Sequence, residues 1–219
     1  MTCHPPFPGS ALTRFGTAPA PLFTLEQARA HLRVDPEFGT SPPSHRDDPL
    51  IEECFQAAVD ELEGVTGWLG RVLVRQTWRL SLDRFPSGGE IVFPLPPLQS
   101  VERVSYLDAD GVRQDLTDEA GSPPGTGYRV TTGGLVGSIS PVFDGAWPSG
   151  RIDRGAVQVE FTAGFGDPAD VPAAIRRWVA TRAATFYEHR ETAVVGTIAT
   201  MIPAYMHNLE NWRVRGLIE

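Results

Sequence analysis

Several groups of side chains in this 219-residue chain are of types that do chemistry. Asp108-Ala109-Asp110-Gly111 begins like a calcium loop, but the third oxygen ligand is missing and Glu119 falls at the wrong offset to close the site. A hairpin turn is the expected use. His45 with Asp47 and Asp48 has the donor types of a metal site, yet both aspartates stand where a helix needs an N-cap. His189, in Glu188-His189-Arg190-Glu191, lacks the second histidine four residues away that a metalloprotease helix requires. A cation near a helix C-terminus accounts for it. Thr132-Gly133-Gly134-Leu135-Val136-Gly137-Ser138 is glycine-rich, but no helix follows to aim N–H groups at a phosphate.

Nucleophilic catalysis has as little support. There is no G-x-S-x-G elbow, and the five histidines are scattered over loops and helix ends, with no evident base for a serine or cysteine. Glu52, Glu53, Asp60, Glu61 and Glu63 flank an apolar helical stripe, which makes them a solvated or partner-facing surface and not a buried acid–base pair. The two cysteines, Cys3 and Cys54, are too few for a disulfide scaffold, and Cys54 is expected as a buried thiol. No catalytic, metal or cofactor residue is therefore assigned. What remains is surface: Tyr205, Leu209 and Trp212 align on a helix expected over 203–214, and aromatic residues often anchor interfaces. Packing on the chain's own helices is the competing use.

The elements that must position these residues can be read from periodicity. Residues 1–23 are proline-rich and nearly uncharged, and read as an extended or flexible arm. Thr24 to Gln27 matches a capping box opening a short helix with Leu25, Ala28 and Leu32 on one face. A second helix starts at Asp47 or Asp48, carries Pro49 in its first turn, aligns Ile51, Cys54 or Phe55, Ala58, Leu62 and Val65, and ends at Gly67. After Gly70 the period changes to two, from Val72 to Leu82. Further strands are expected at 90–93, 101–107, 112–116, 128–132, 136–140 and 156–162. Helix returns at Asp170, expected as its cap, and runs to about Arg190, with Ile175, Val179, Ala183 and Phe186 aligned.

Strands bracketed by helices predict an α+β protein. Its helical core is built from the N- and C-terminal helices, with an antiparallel β module inserted between them. The expected division is an arm over 1–23, N-terminal core helices over 24–68, the β module over 69–165 and the C-terminal helices over 166–219.

Composition narrows the function class. Hydrophobic residues make up 41% of the chain, enough for a real core. Net charge is −8, and all 19 basic residues are arginines. That balance argues against gripping nucleic acid over a broad basic face, though not against letting DNA pass without adhering. Charge is also segregated: residues 25–66 hold ten acidic and three basic side chains, a net −7, whereas residues 171–219 hold six arginines and four glutamates, a net +2. Such halves could pair within one chain or between neighbouring copies. Met1 to Pro6 has neither a basic start nor an apolar run, so no signal peptide is expected. The uncharged run from Thr192 to Met206 is too short for a membrane span and is broken by Gly196 and Pro203.

Read in order, Phe23-Thr24-Leu25-Glu26-Gln27-Ala28-Arg29-Ala30-His31-Leu32-Arg33-Val34-Asp35, Asp47-Asp48-Pro49-Leu50-Ile51 and Gln76-Thr77-Trp78-Arg79-Leu80 form a familiar series. It continues through Pro94-Leu95-Pro96-Pro97-Leu98-Gln99-Ser100-Val101, Tyr106 to Gly111, Phe161-Thr162-Ala163-Gly164-Phe165-Gly166 and Val171-Pro172-Ala173-Ala174-Ile175-Arg176. The series resembles the head–tail connector (adaptor) proteins of tailed bacteriophages over 24–191, and more loosely through the last helix. Members also occur in phage-derived particles such as gene transfer agents. The resemblance implies a structural, non-enzymatic protein without cofactors, made in the bacterial cytoplasm and placed at the portal vertex. About twelve copies would form a ring there. Its implied partners are the portal protein, neighbouring copies and a tail-side stopper or tail terminator protein, with DNA passing through the channel. In the family the C-terminal helix or tail docks on the portal, which by position implies Tyr205, Leu209 and Trp212 here. Two other readings compete. A β module that binds a glycan or receptor would need exposed aromatics on its strands, where Trp78 and Trp147 are the only tryptophans. A small hydrolase would need a titratable cluster in a pocket.

Overall fold

A computed structural model describes residues 10–39, 41–87, 89–118, 120–121, 127–134, 136–189 and 209–214. In chain order the elements are β1 (Ala11–Phe15), α1 (Leu25–Leu32), α2 (Asp48–Leu62), β2 (Gln76–Leu82), β3 (Ile91–Val92), β4 (Leu98–Leu107), β5 (Arg113–Leu116), β6 (Tyr128–Thr131), β7 (Ser138–Pro141), β8 (Val157–Ala163) and α3 (Ala173–Glu188). A 3-10 turn at Glu210–Trp212 follows. The fold is α+β, with helices before and after a run of antiparallel strands.

Two sheets make up the β module. One has the order β1-β2-β8-β4-β5 and the other β3-β7-β6. Along β8, Val157, Val159, Phe161 and Ala163 are buried and the intervening residues are half-exposed, the alternation of a sheet with one covered face. Register sets Trp78 and Val101 beside Phe161, and Leu80 and Val104 beside Val159. The small sheet contributes Ile91 and Ile139 to the same cluster, and Phe93, just beyond β3, lies with its ring centroid 4.5 Å from that of Phe161.

The helices enclose a separate core. Ile51, Phe55, Ala58 and Leu62 of α2 pack with Ile175, Val179 and Ala183 of α3, and Ala28 of α1 joins them. Cys54 is buried in this cluster and, among the described residues, takes part in no disulfide. The capping box of α1 is complete: Gln27 N–H donates to Thr24 Oγ1 at 3.2 Å and Thr24 N–H to Gln27 Oε1 at 3.1 Å. The strand-like segment before β2 divides its side chains between the cores. Val72 belongs to the sheet cluster, and its neighbours Leu73 and Val74 belong to the helical one.

Several expectations change. Within the arm Ala11–Phe15 is a paired strand, antiparallel to β2 with Phe15 opposite Thr77 and Ala11 opposite Ser81. The second helix ends at Leu62 and not at Gly67. Neither expected aspartate cap forms. Asp47 occupies the N-cap of α2 but makes no capping bond, and α3 has Pro172 at that position. Asp170 instead accepts Asp167 N–H at 2.8 Å, closing the loop before the helix. The helix expected over 203–214 is, in its described part, the 3-10 turn; Tyr205, Cys3 and the run 192–206 lie outside the described residues.

Candidate functional site

The residues with catalytic or metal-binding potential are committed to the fold. Asp108 Oδ1 accepts the N–H groups of Asp110 (3.0 Å) and Val112 (2.9 Å), and Oδ2 accepts Gln114 Nε2 at 2.8 Å. These bonds, the Gln114 one foremost, hold its carboxyl below the usual range. The motif is the hairpin turn between β4 and β5. The glycine-rich run turns β6 into β7, and Gly137 is required there: a Cβ would lie 2.2 Å from Leu98 Cβ.

His45, Asp47 and Asp48 are close together, and their bonds run to one another's backbone and to Arg29 and Tyr187. His45 Nδ1 accepts Asp47 N–H at 3.1 Å, and Asp47 Oδ2 accepts the Tyr187 hydroxyl of α3 at 2.8 Å. Asp48 takes both nitrogens of the Arg29 fork, at 2.6 and 2.5 Å, and also accepts His45 N–H. The Arg29 bond holds the Asp48 carboxyl below its ordinary value. Three segments are thereby tied: α1, the loop after it and the start of α2. His189 is exposed at the C-cap of α3. Among the described residues no group of three His, Cys, Asp or Glu is placed to hold a metal ion. Nor is any described helix long and apolar enough to cross a membrane.

The acidic face of α2 is less uniform than its sequence implies. Glu52 and Glu53 are exposed, Asp60 accepts Gln56 Nε2 at 2.8 Å, and Glu61 forms a two-pronged bridge to Arg182 of α3 at 2.7 and 2.8 Å. The acidic and basic halves therefore do pair within one chain at this point. Glu63 departs from expectation. Its carboxyl turns inward at the end of α2 to accept Leu73 N–H (2.7 Å) and Gln76 Nε2 (3.0 Å), and burial pushes its pKa up. Nothing in the sequence separates it from Glu52 and Glu53, since none of the three has a cation in the i+3 or i+4 position.

Of the three aligned residues near the C-terminus, Leu209 is 1% exposed within the helical core. Trp212 is half-buried against Phe165, with ring centroids 5.8 Å apart. The backbone of this segment is clipped to the loop after α2: Val214 N–H donates to the Leu69 carbonyl at 2.9 Å, and Arg71 Nε donates to the Trp212 carbonyl. Arg71 is itself buried, which lowers its pKa. The Arg213 guanidinium lies 4.8 Å from the centroid of the Trp68 ring. In this form Leu209 and Trp212 secure the end of the chain and present little surface of their own.

Tryptophans of the β module are also engaged. Trp147 stacks on Phe85 at 4.7 Å and donates from Nε1 to the Gly89 carbonyl at 3.1 Å; Trp78 is half-buried. The large apolar side chains exposed there are Val112, Phe143 and Ile152.

Two concavities flank α1. One, of about 390 Å³, is floored by Leu25, Phe55 and Val59 and rimmed by Glu52 and Glu53. The other, of about 520 Å³, is lined by Ala173, Ala180, His31, Arg176 and Arg177. Phe23 borders both, and the Arg176 guanidinium lies 5.5 Å from its ring centroid.

No protein-family model and no curated protein matches this sequence. Solved structures do share the fold. A chain in the neck of an empty GTA (gene transfer agent) particle computed with C6 symmetry is 24% identical, with a TM-score of 0.72 over 94% of this chain and 97% of that one. A chain of the native GTA virion is 24% identical, with a TM-score of 0.68 over 94% and 98%. A chain in the neck of the native particle computed with C12 symmetry is 23% identical, with a TM-score of 0.70 over 94% and 97%. The likeness spans helices and β module alike and is a likeness of fold.

Proposed function

We propose that this chain is a structural, non-enzymatic head–tail connector of a phage-like particle, forming a ring of about twelve copies between portal and tail. The observation that carries this reading is the shared fold over 94% of the chain with protein chains from GTA necks. A second support is that His45, Asp47, Asp48 and Asp108 are occupied by bonds that hold the fold together.

In this role the ring sits at the portal vertex and contacts the portal protein, its own neighbours and a tail-side stopper or tail terminator. DNA crosses the channel without sequence-specific binding. A chain with net charge −8 and no lysine suits that task, because few cations are available to hold phosphate. Portal docking is assigned to the C-terminal segment carrying Tyr205, Leu209 and Trp212. Leu209 and Trp212 hold residues 209–214 of that segment to the rest of the chain.

The test is electron microscopy of particles from a producing strain lacking the gene. Packaged heads and finished tails should accumulate unjoined. Complete particles in normal number would overturn the connector role and bring forward a glycan- or receptor-binding role for the β module.

A further inference from the structure

The two flanks of α1 differ in charge and agree in shape. Each is a concavity with an apolar floor bordered by Phe23. The α2 flank presents Glu52 and Glu53, and no cation lines it. The α3 flank presents Arg176 and Arg177 with His31, and no carboxylate lines it. Among the described residues none of Glu52, Glu53, Arg176 and Arg177 has an ion-pair partner, in contrast to Glu61 and Arg182 nearby, which pair with each other. Arg176 Nε is buried without a hydrogen-bond acceptor. The first turns of α3, where both arginines sit, also carry the positive end of a 16-residue helix.

Opposite charges on the two flanks make the acidic flank of one copy complementary to the basic flank of another, and in a closed ring that match is heterologous. We propose that the occupant of each flank is a second copy of this chain, with Glu52 and Glu53 of one copy set against Arg176 and Arg177 of the next. The Phe23 ridge then lies between two such seams. This assignment rests on the ring reading above and names the surfaces that close the ring.

The test uses charge reversal of the full chain, supplied to the deletion strain. Particles are scored by electron microscopy for a ring in the neck and by quantitative mass spectrometry for copies of the chain that co-purify. Glu52→Arg with Glu53→Arg makes both flanks basic, and Arg176→Glu with Arg177→Glu makes both acidic. Each double variant should lower ring occupancy about tenfold or more. All four changes in one chain restore opposite signs, as does co-production of the two double variants in a ring of even copy number. Restoration by either route is the expected result.

Double variants that assemble like the wild type would overturn the proposal. So would double variants that fold, by circular dichroism, but are restored by neither route. Because Arg176 also packs on Phe23, the exposed pair Glu53→Arg and Arg177→Glu repeats the experiment without touching that contact. If the wild-type chain itself places no ring in the neck, the connector reading falls, and that outcome is visible before any variant is scored.

Discussion

The helical layer and the β module are stabilised by different means. The β module is held by ladder hydrogen bonds and a dense apolar cluster, whose largest fully buried side chains are Phe93 and Phe161. In the helical layer, long-range polar contacts supplement the core: Arg29 with Asp48, Tyr187 with Asp47, Glu61 with Arg182 and Arg71 with the Trp212 carbonyl. Sheet contacts are fixed by backbone register, with the cross-strand ion pairs Arg79–Glu160 and Arg103–Asp115 laid over it. Helix contacts depend on side chains, and Glu52, Glu53, Arg176 and Arg177 on the flanks of α1 are among the charges they leave without an ion pair among the described residues. Adhesion between copies is thus expected from the helices, with the sheets as the rigid frame.

The largest effect that would sharpen this contrast is Phe161→Ala, which removes the ring at the centre of the sheet cluster and should cost about 3–5 kcal/mol in denaturant unfolding. Because Val72 and Leu73 feed opposite cores, tryptophan fluorescence and circular dichroism should report one shared transition. Two separated transitions would show the layers to be independent. Next comes Arg71→Ala. It leaves the Trp212 carbonyl without its buried charged donor, at a cost of about 1.5–3 kcal/mol. Trypsin should then cut after Arg213 sooner than in the wild type, and an unchanged cutting rate would count against the clip.

Two carboxyls of the helical layer should respond to pH in opposite directions. Asp48 is held low by Arg29, so its stabilisation is present above the unfolded value of about 3.9 and is lost as pH falls through the lower folded value. Glu63 is held high by burial, so its contribution is complete below about 4.3 and is lost as pH rises through the raised folded value. Stability measured against pH should therefore show a shallower acid-side fall in Asp48→Asn and a smaller decline above about pH 4.3 in Glu63→Gln. Identical profiles for both variants would contradict the assignment. The smallest effect is at the exposed Glu61–Arg182 bridge. A double-mutant cycle should give about 0.5 kcal/mol, shrinking in high salt.

Local signals were legible in the sequence wherever side chains decide the outcome. The capping box at Thr24, the α2 stripe and the hairpin around Asp108 all follow from residue type and spacing, and so does the α+β order of helices around strands. Strand β1 was not legible. Its partner supplies backbone bonds, while its side chains are mostly exposed and so carry no buried alternation. Nor was the sheet order, since pairing β2 with β8 joins residues some eighty positions apart. Asp47 and Asp48 are good capping types that tertiary partners took over, and Asp170 is one that a local loop took over. At the candidate surface, the charge segregation was visible from counting. Which charges stay unpaired was not, because Glu61 and Glu63 look like Glu52 and Glu53 until α3 and β2 are in place.

The clip at the chain end has a mechanical consequence. Val214 and Trp212 are fastened to Leu69 and Arg71, immediately before the residues that feed both cores. Tension applied to the C-terminus is therefore delivered to the seam between the layers. A tether leaving from that point loads the helices and the sheets together, and it cannot be peeled away as a surface loop would be.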